Sequence, residues 1–274
     1  MKKRVFIYNI SSSKILNLAN INKNIQNIFD FCTVYIKNKK FNKYNLENSK
    51  NNIFDSFSEL LLYNSKISNL KKENKFLKVN KNHSHSQNIQ KQIGQKYFDL
   101  YDGFILQNYY SQFLNSSELD IDDIHIIITD KLICTFDSCD NRYHARTIVC
   151  GVPTLISTSG IVEGPAKPKD YYFKQIFFSR QPNELEQIED EFKNRCIHYN
   201  DKRINSVIEG LICQSIFYNI LSANHFCKYD FCRLYNAHWQ EELISIHVNK
   251  KKFCPEHENI LKKYRNNKSQ YITC

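Results

Sequence analysis

Residues 226–257 read FCKYDFCRLYNAHWQEELISIHVNKKKFCPEH, and their spacing decides how the rest of the chain is read. Cys227 and Cys232, then Cys254 and His257, form the pattern C-x4-C-x21-C-x2-H. Two close pairs, each on a tight turn, supply the four sulfur and nitrogen ligands that Zn2+ takes in a tetrahedron. Pro255, directly after Cys254, favours such a turn. Four protein ligands leave no open position for a substrate, so the pattern predicts a structural zinc. His225 is a spare ligand two residues before Cys227. The competing reading is a set of unrelated buried cysteines.

Ahead of this segment, Asp201 is placed to cap a long helix over 202–222, with Ile204, Val207, Ile208, Leu211, Ser215 and Phe217/Tyr218 near its buried stripe. The zinc would pin the C-terminal tail onto the end of that helix. Further upstream, the apolar runs 5–10, 31–36, 124–129, 147–150 and 154–158 read as strands, the last two joined around Gly151-Val152-Pro153. Helical periodicity is expected over 12–29, 54–63, 97–114, 170–178 and 183–196, and 161–168 reads as a stiff loop. The order β-α-β-α, then strands, a long helix and a Cys/His tail predicts an α/β layered fold. The expected divisions are an N-terminal α/β part at 1–63, a low-complexity Lys/Asn-rich loop at 64–95, the rest of the core at 96–222 and a zinc subdomain at 223–274. The tract His83-Ser84-His85 belongs to that loop.

The 274 residues suffice for one large domain or two small ones, and 42% hydrophobic content excludes a disordered polyelectrolyte. The net charge of +10 invites a nucleic-acid reading, but its distribution argues against one. Residues 1–115 carry 18 Lys/Arg against 7 Asp/Glu, whereas residues 116–274 are nearly balanced. The basic half mixes Lys with Asn rather than with Arg and aromatics, as a solvated surface does. The apolar start, six residues before Ser11, is too short for a signal peptide, and no apolar run is expected to reach the roughly 18 residues of a membrane span. The expectation is a cytoplasmic protein without a membrane. Ten cysteines there imply reduced thiols plus metal ligation, with Cys32, Cys134, Cys150, Cys196 and Cys213 as core thiols.

Three polar clusters are candidates for chemistry. Arg142, His144 and Arg146 alternate ahead of an apolar strand, so an extended backbone would turn all three to one face, suited to a carboxylate or phosphate. The competing reading is an edge strand with solvated charges. Around the single Trp239, a helix would bring His238 and Glu241 or Glu242 to one face, as a metal or acid/base pair or merely as the polar side of an amphipathic helix. The loop SGIVEGPAKP (159–168) is unusually specified for a Gly-poor chain and offers Glu163 and Lys167.

The segments CTFDSCDNRYHAR (134–146), GVPTLISTSGIVEGPAKP (151–168), FCKYDFCRLYNAHWQEEL (226–243) and FCPEH (253–257) together resemble an archaeal family of metallopeptidase-like proteins, distantly similar to the archaemetzincins. The resemblance covers roughly 124–258, about half the chain. It implies a metzincin-like mixed sheet packed with helices, a C-terminal zinc knuckle and a peptide or protein substrate. Cys227 and Cys232 fall on the family's C-x4-C pair, Leu234 falls on the Met of the following turn, and Cys254 and His257 fall on its last pair. The structural zinc therefore carries over. The catalytic helix HExxHxxGxxHC does not: with His225 on its third His, Ser215, Ile216 and Asn219 stand on the first His, the Glu and the second His. None of these three can bind the metal or deprotonate its water as a metallopeptidase needs.

Two functions follow. One is a zinc metallopeptidase-like protein with a structural zinc and a degenerate catalytic centre, or one rebuilt from His144, His238 and Glu241. The other is a non-enzymatic, zinc-stabilised binding module whose Arg142, His144, Arg146, Glu163 and Lys167 hold an anionic ligand or a protein segment.

Overall fold

A computed structural model describes residues 3–37, 61–67, 99–114, 118–178, 182–221 and 226–270. Most of the Lys/Asn-rich loop, the His83-Ser84-His85 tract, most of the helix expected at 54–63, and His225 lie outside the described residues.

The main sheet has five strands in the order β2-β1-β4-β8-β7. Strands β1 (Lys3–Asn9), β2 (Cys32–Lys37), β4 (Asp123–Thr129) and β8 (Thr154–Ser157) run parallel. Edge strand β7 (Ile148–Val149) is antiparallel to β8. Asn17 caps α1 (Leu18–Ile28), its side-chain oxygen accepting from the Asn20 N–H at 3.0 Å. Side chains alternate across the sheet. Val5, Ile7, Ile124, Ile126, Ile128 and Ile156 face one apolar cluster; Phe6, Tyr8, Ile127 and Leu155 face the other. Both faces are covered, which is why the central strands read as continuous apolar runs.

Helix α6 (Ile204–Leu221) fills the first face. It is buried around most of its girth from Val207 to Phe217, not along the expected single stripe. Its length and mean hydropathy of 1.2 would suit a membrane span, contrary to the composition-based expectation, but 67% of it is buried inside the protein. The sheet, α1 and the C-terminal segment surround it. Asp201 acts just ahead of it, accepting from the Arg203 N–H at 2.8 Å. Cys227, Cys232, Leu234, Leu243, Cys254 and Leu261 join the same cluster as the sheet.

Three expected elements differ. Residues 97–114 are not one helix: β3 (Leu100–Asp102) precedes α2 (Gly103–Ser111). Asp102 makes the break, accepting from the N–H groups of Phe104 and Ile105 at 3.0 Å each. The first half of the stiff loop is the end of helix α3 (Thr158–Glu163), capped by the Ser157 hydroxyl, which accepts from Gly160 N–H at 2.7 Å. The helix expected over 183–196 ends earlier, as α5 (Pro182–Glu191), behind α4 (Lys169–Phe177).

A second sheet went unexpected. Strand β5 (Leu132–Asp137) pairs parallel with β3 and antiparallel with β6 (Arg142–Ala145). Gly160 lets α3 press against the chain leaving β6: a Cβ there would lie 2.0 Å from the Arg146 carbonyl oxygen. The C-terminal part is short helix α7 (Gln240–Ile244), a π-helical turn (Ser245–Lys250) and α8 (Pro255–Gln270).

Candidate functional site

Cys227, Cys232, Cys254 and His257 converge, their ligand atoms all within 4.8 Å of one another and all four residues buried. Local backbone pairing builds the pocket. Cys227 N–H donates to Leu234 C=O at 2.9 Å, and Arg233 N–H donates to Lys252 C=O at 2.6 Å, bringing the two turns side by side. Pro255 opens α8, which sets His257 on its first turn facing Cys254. The Sγ atoms of Cys227 and Cys254 are 3.7 Å apart, and Cys232 Sγ lies 3.7 Å from His257 Nδ1. A tetrahedron with metal–sulfur bonds of ~2.3 Å has sulfur–sulfur edges of roughly 3.8 Å, so the spacing suits a four-coordinate ion. The Tyr229 and Cys254 N–H groups donate to Cys227 Sγ and Cys232 Sγ at 3.4 Å, bonds that favour thiolates. Without a cation, burial pushes the Cys227 thiol up and that of Cys232 to about 12, while burial lowers His257 and keeps it a neutral ligand. Three thiols stacked in one dry spot fit a metal that displaces their protons. Phe217 of α6 meets the His257 ring edge-on at 5.3 Å, so the cluster sits against that helix.

Beside it lies a cleft of about 380 Å³. Its lining includes the chain from His144 to Cys150, Gly164-Pro165, and Asn236, Ala237 and His238. Backbone bonds lace the last two segments together: Ala166 N–H donates to His238 C=O at 2.7 Å, and Gln240 N–H to Ala166 C=O at 2.8 Å. Gln240 is fully buried; its amide donates to the carbonyls of Ile161 and Val162 and accepts from the Ile197 N–H. Among the described residues the lining holds no Asp or Glu, and its basic side chains are Arg146, His144 and His238. Arg146 is oriented through its Nε, which donates to Thr135 Oγ1 at 2.7 Å. It enters no ion pair among the described residues. Ser157 N–H donates to Thr147 C=O, so the antiparallel alternation turns the N–H and C=O of Ile148 to the free edge of the sheet.

The remaining candidates are elsewhere or differently used. Arg142 is exposed and outside the cleft lining, so only two of the three alternating cations share it. Glu241 does not join His144 and His238; it accepts from Arg195 Nε at 2.7 Å, and Arg195 also binds Asp170. Glu242 takes the His238 and Trp239 N–H groups at 2.8 and 3.1 Å, anchoring the start of α7. Glu163 accepts from the Tyr199 hydroxyl at 2.9 Å. Lys167 is buried against Tyr171; burial lowers its ammonium, but the Tyr171 hydroxyl and the Glu163 charge outweigh this and hold it above its usual value. Cys150 lines the cleft, but burial pushes its thiol up to about 12, which keeps it protonated and unreactive at neutral pH. Sequence reasoning missed Asp137, which with Asp140 and His144 forms a second group of metal-capable atoms. Both carboxylates serve the β5–β6 turn, accepting from Cys139 N–H and Arg142 N–H, and Asp140 also meets His144 Nε2 at 2.8 Å.

Residues 1–264 match the model of the "Probable metallopeptidase family (DUF6775)". The chain belongs to that family. A zinc-dependent peptidase from Methanocorpusculum labreanum (strain Z) superposes over 94% of this chain and 99% of its own, at 9% identity and a TM-score of 0.42, too loosely to bear on the site. No curated protein matches the chain.

Within this metallopeptidase-family chain, α6 carries no histidine, and its single charged residue is Glu209. Glu209 accepts from Asn24 at 2.6 Å and faces Arg233 at 3.5 Å. Ser215 bonds Thr154 at 2.9 Å, Ile216 is fully buried, and Asn219 donates to Ser215 C=O of its own helix. Ser215, Ile216 and Asn219 are therefore spent on packing and on hydrogen bonds within the fold.

Proposed function

We propose that this metallopeptidase-family protein holds a structural zinc at Cys227, Cys232, Cys254 and His257, lacks a hydrolytic metal on α6, and uses its cleft to bind a peptide segment without cutting it. Zinc is the ion chosen because three thiolates and one imidazole form a soft, closed, tetrahedral set. When bound it supplies folding energy rather than a reactive water. The single observation that carries the reading is α6: a histidine-free helix whose Ser215 and Asn219 are already bonded within the fold. A rebuilt centre finds less support, since Glu241 is tied to Arg195 away from the two cleft histidines. The outward N–H and C=O of Ile148 on edge strand β7 suit an extended backbone.

The deciding experiment is metal analysis of the purified chain by plasma mass spectrometry, together with a quenched-fluorescent peptide library. The expected result is one zinc per chain and no chelator-sensitive hydrolysis. Two zincs, with hydrolysis lost on His144→Ala or His238→Ala while the fold persists, would overturn the proposal.

A further inference from the structure

We infer that the cleft recognises the free C-terminal carboxylate of an extended peptide whose last side chain is apolar, with Arg146 as the anchor. This rests on the reading of the cleft as a peptide site and names what that site selects.

Charge gives the first argument. Among the described residues the cleft lining has one guanidinium and no carboxylate, and that guanidinium has no ion-pair partner there. A single fixed positive charge with two remaining N–H-bearing nitrogens matches a monoanion that takes two parallel bonds, as a carboxylate does. A phosphate ester carries about −1.5 to −2 and is usually met by several cations or a row of backbone N–H groups. Here Thr135 already occupies the Arg146 Nε, fixing the fork before any ligand arrives. His144, whose Nε2 meets Asp140, and His238 add imidazole rings to the same lining.

Position gives the second argument. Arg146 and Ile148 lie two residues apart, on either side of the bend at Thr147 where the chain passes from β6 to β7. A peptide running antiparallel to β7, and pairing its last residue with Ile148, leaves its terminal carboxylate pointing back toward residue 146. An Asp or Glu side chain would instead stand out from the plane of the pairing. The walls supply the third argument: Phe104, Val149, Pro165 and Phe226 give the final side chain an apolar surround. The Gly160 contact fixes the backbone of Arg146 itself, so the anchor sits on a rigid support.

The test uses the metal-loaded full chain and a fluorescein-labelled tetrapeptide ending in leucine, as the free acid and as the C-terminal amide, read by fluorescence anisotropy. The free acid is expected to bind at least tenfold more tightly than the amide. Arg146→Met should erase that preference while leaving metal content unchanged, and Arg146→Lys should restore part of it. Equal binding of acid and amide overturns the inference but leaves the peptide-binding reading standing. Binding of neither peptide overturns both. Displacement of the free acid by inorganic phosphate at concentrations where acetate has no effect also overturns it, by making the cleft a general oxyanion site. Should Arg146→Met fail to fold, the acid/amide comparison on the unaltered chain decides alone.

Discussion

The Cys/His cluster and the cleft share only the segment 226–238, and they spend their polar groups in opposite ways. Cys227, Cys232, Cys254 and His257 face inward, and the backbone supports them with N–H···S bonds. The cleft groups face outward, and Arg146 has unused bonding capacity. A closed site stabilises; an open site with spare donors binds. The family resemblance alone would not separate these two, because fold does not fix function.

Removing a ligand from the closed site should have the largest effect. Cys232→Ser or Cys254→Ser is expected to abolish stoichiometric zinc and cooperative unfolding of the C-terminal third. Zinc binding of about 10–16 kcal/mol rivals the whole stability of a domain. Circular dichroism melts with and without chelator check this. Wild-type melting in either mutant would mean the cluster is not a metal site.

Gly160→Ala comes next. Its Cβ would meet a backbone carbonyl that cannot rotate away. A loss of about 3 kcal/mol in urea unfolding is expected, together with weaker ligand binding because the Arg146 backbone must shift. Gln240→Ala should cost about 2–3 kcal/mol by stranding the carbonyls of Ile161 and Val162 and the N–H of Ile197. Stability unchanged by that substitution would show that the cleft wall needs no such brace.

The two regions should also differ in pH response. In the chelated protein, burial raises the Cys227 and Cys232 thiols, so the folded state holds its protons more tightly than the unfolded chain. That contribution is complete below the unfolded value of about 8.5 and is lost as pH rises toward the folded value of about 12 for Cys232. With zinc bound, protons compete with the metal, so stability should fall on the acid side instead. Melting temperatures across pH with and without chelator should therefore slope in opposite directions. The smallest effect is expected from Glu241→Gln: no resolvable change in ligand binding, because Glu241 and its half-exposed partner Arg195 are not among the cleft-lining residues. A lost binding signal there would put Glu241 back among the site residues.

The cluster was legible because its ligands come in short-range pairs, and ligand spacing is a local property. The central strands were legible for a similar reason: Ile124 to Thr129 is buried on both faces, so the run is continuous. Strand β5 was not, since its unbroken apolar run is only Leu132, Ile133 and Cys134 before Thr135. The boundary at Asp102 was missed because a single carboxylate capping two N–H groups ends the strand inside an otherwise apolar run. Helix α3 was read as loop because Ser159 and Gly160 have low helical preference, which packing against Arg146 overrides. The cleft needed the tertiary fold: nothing in the spacing of His144, Pro165 and His238 brings them together.

The all-round burial of α6 also limits what the protein can become. A substitution that installed an imidazole at Ile216 or Phe217 would remove a fully enclosed apolar side chain and strand a ring nitrogen in a dry interior. A variant with an imidazole at either position would lose packing before gaining a reaction. Packing, rather than the distance in sequence to an HExxH motif, is the ratchet.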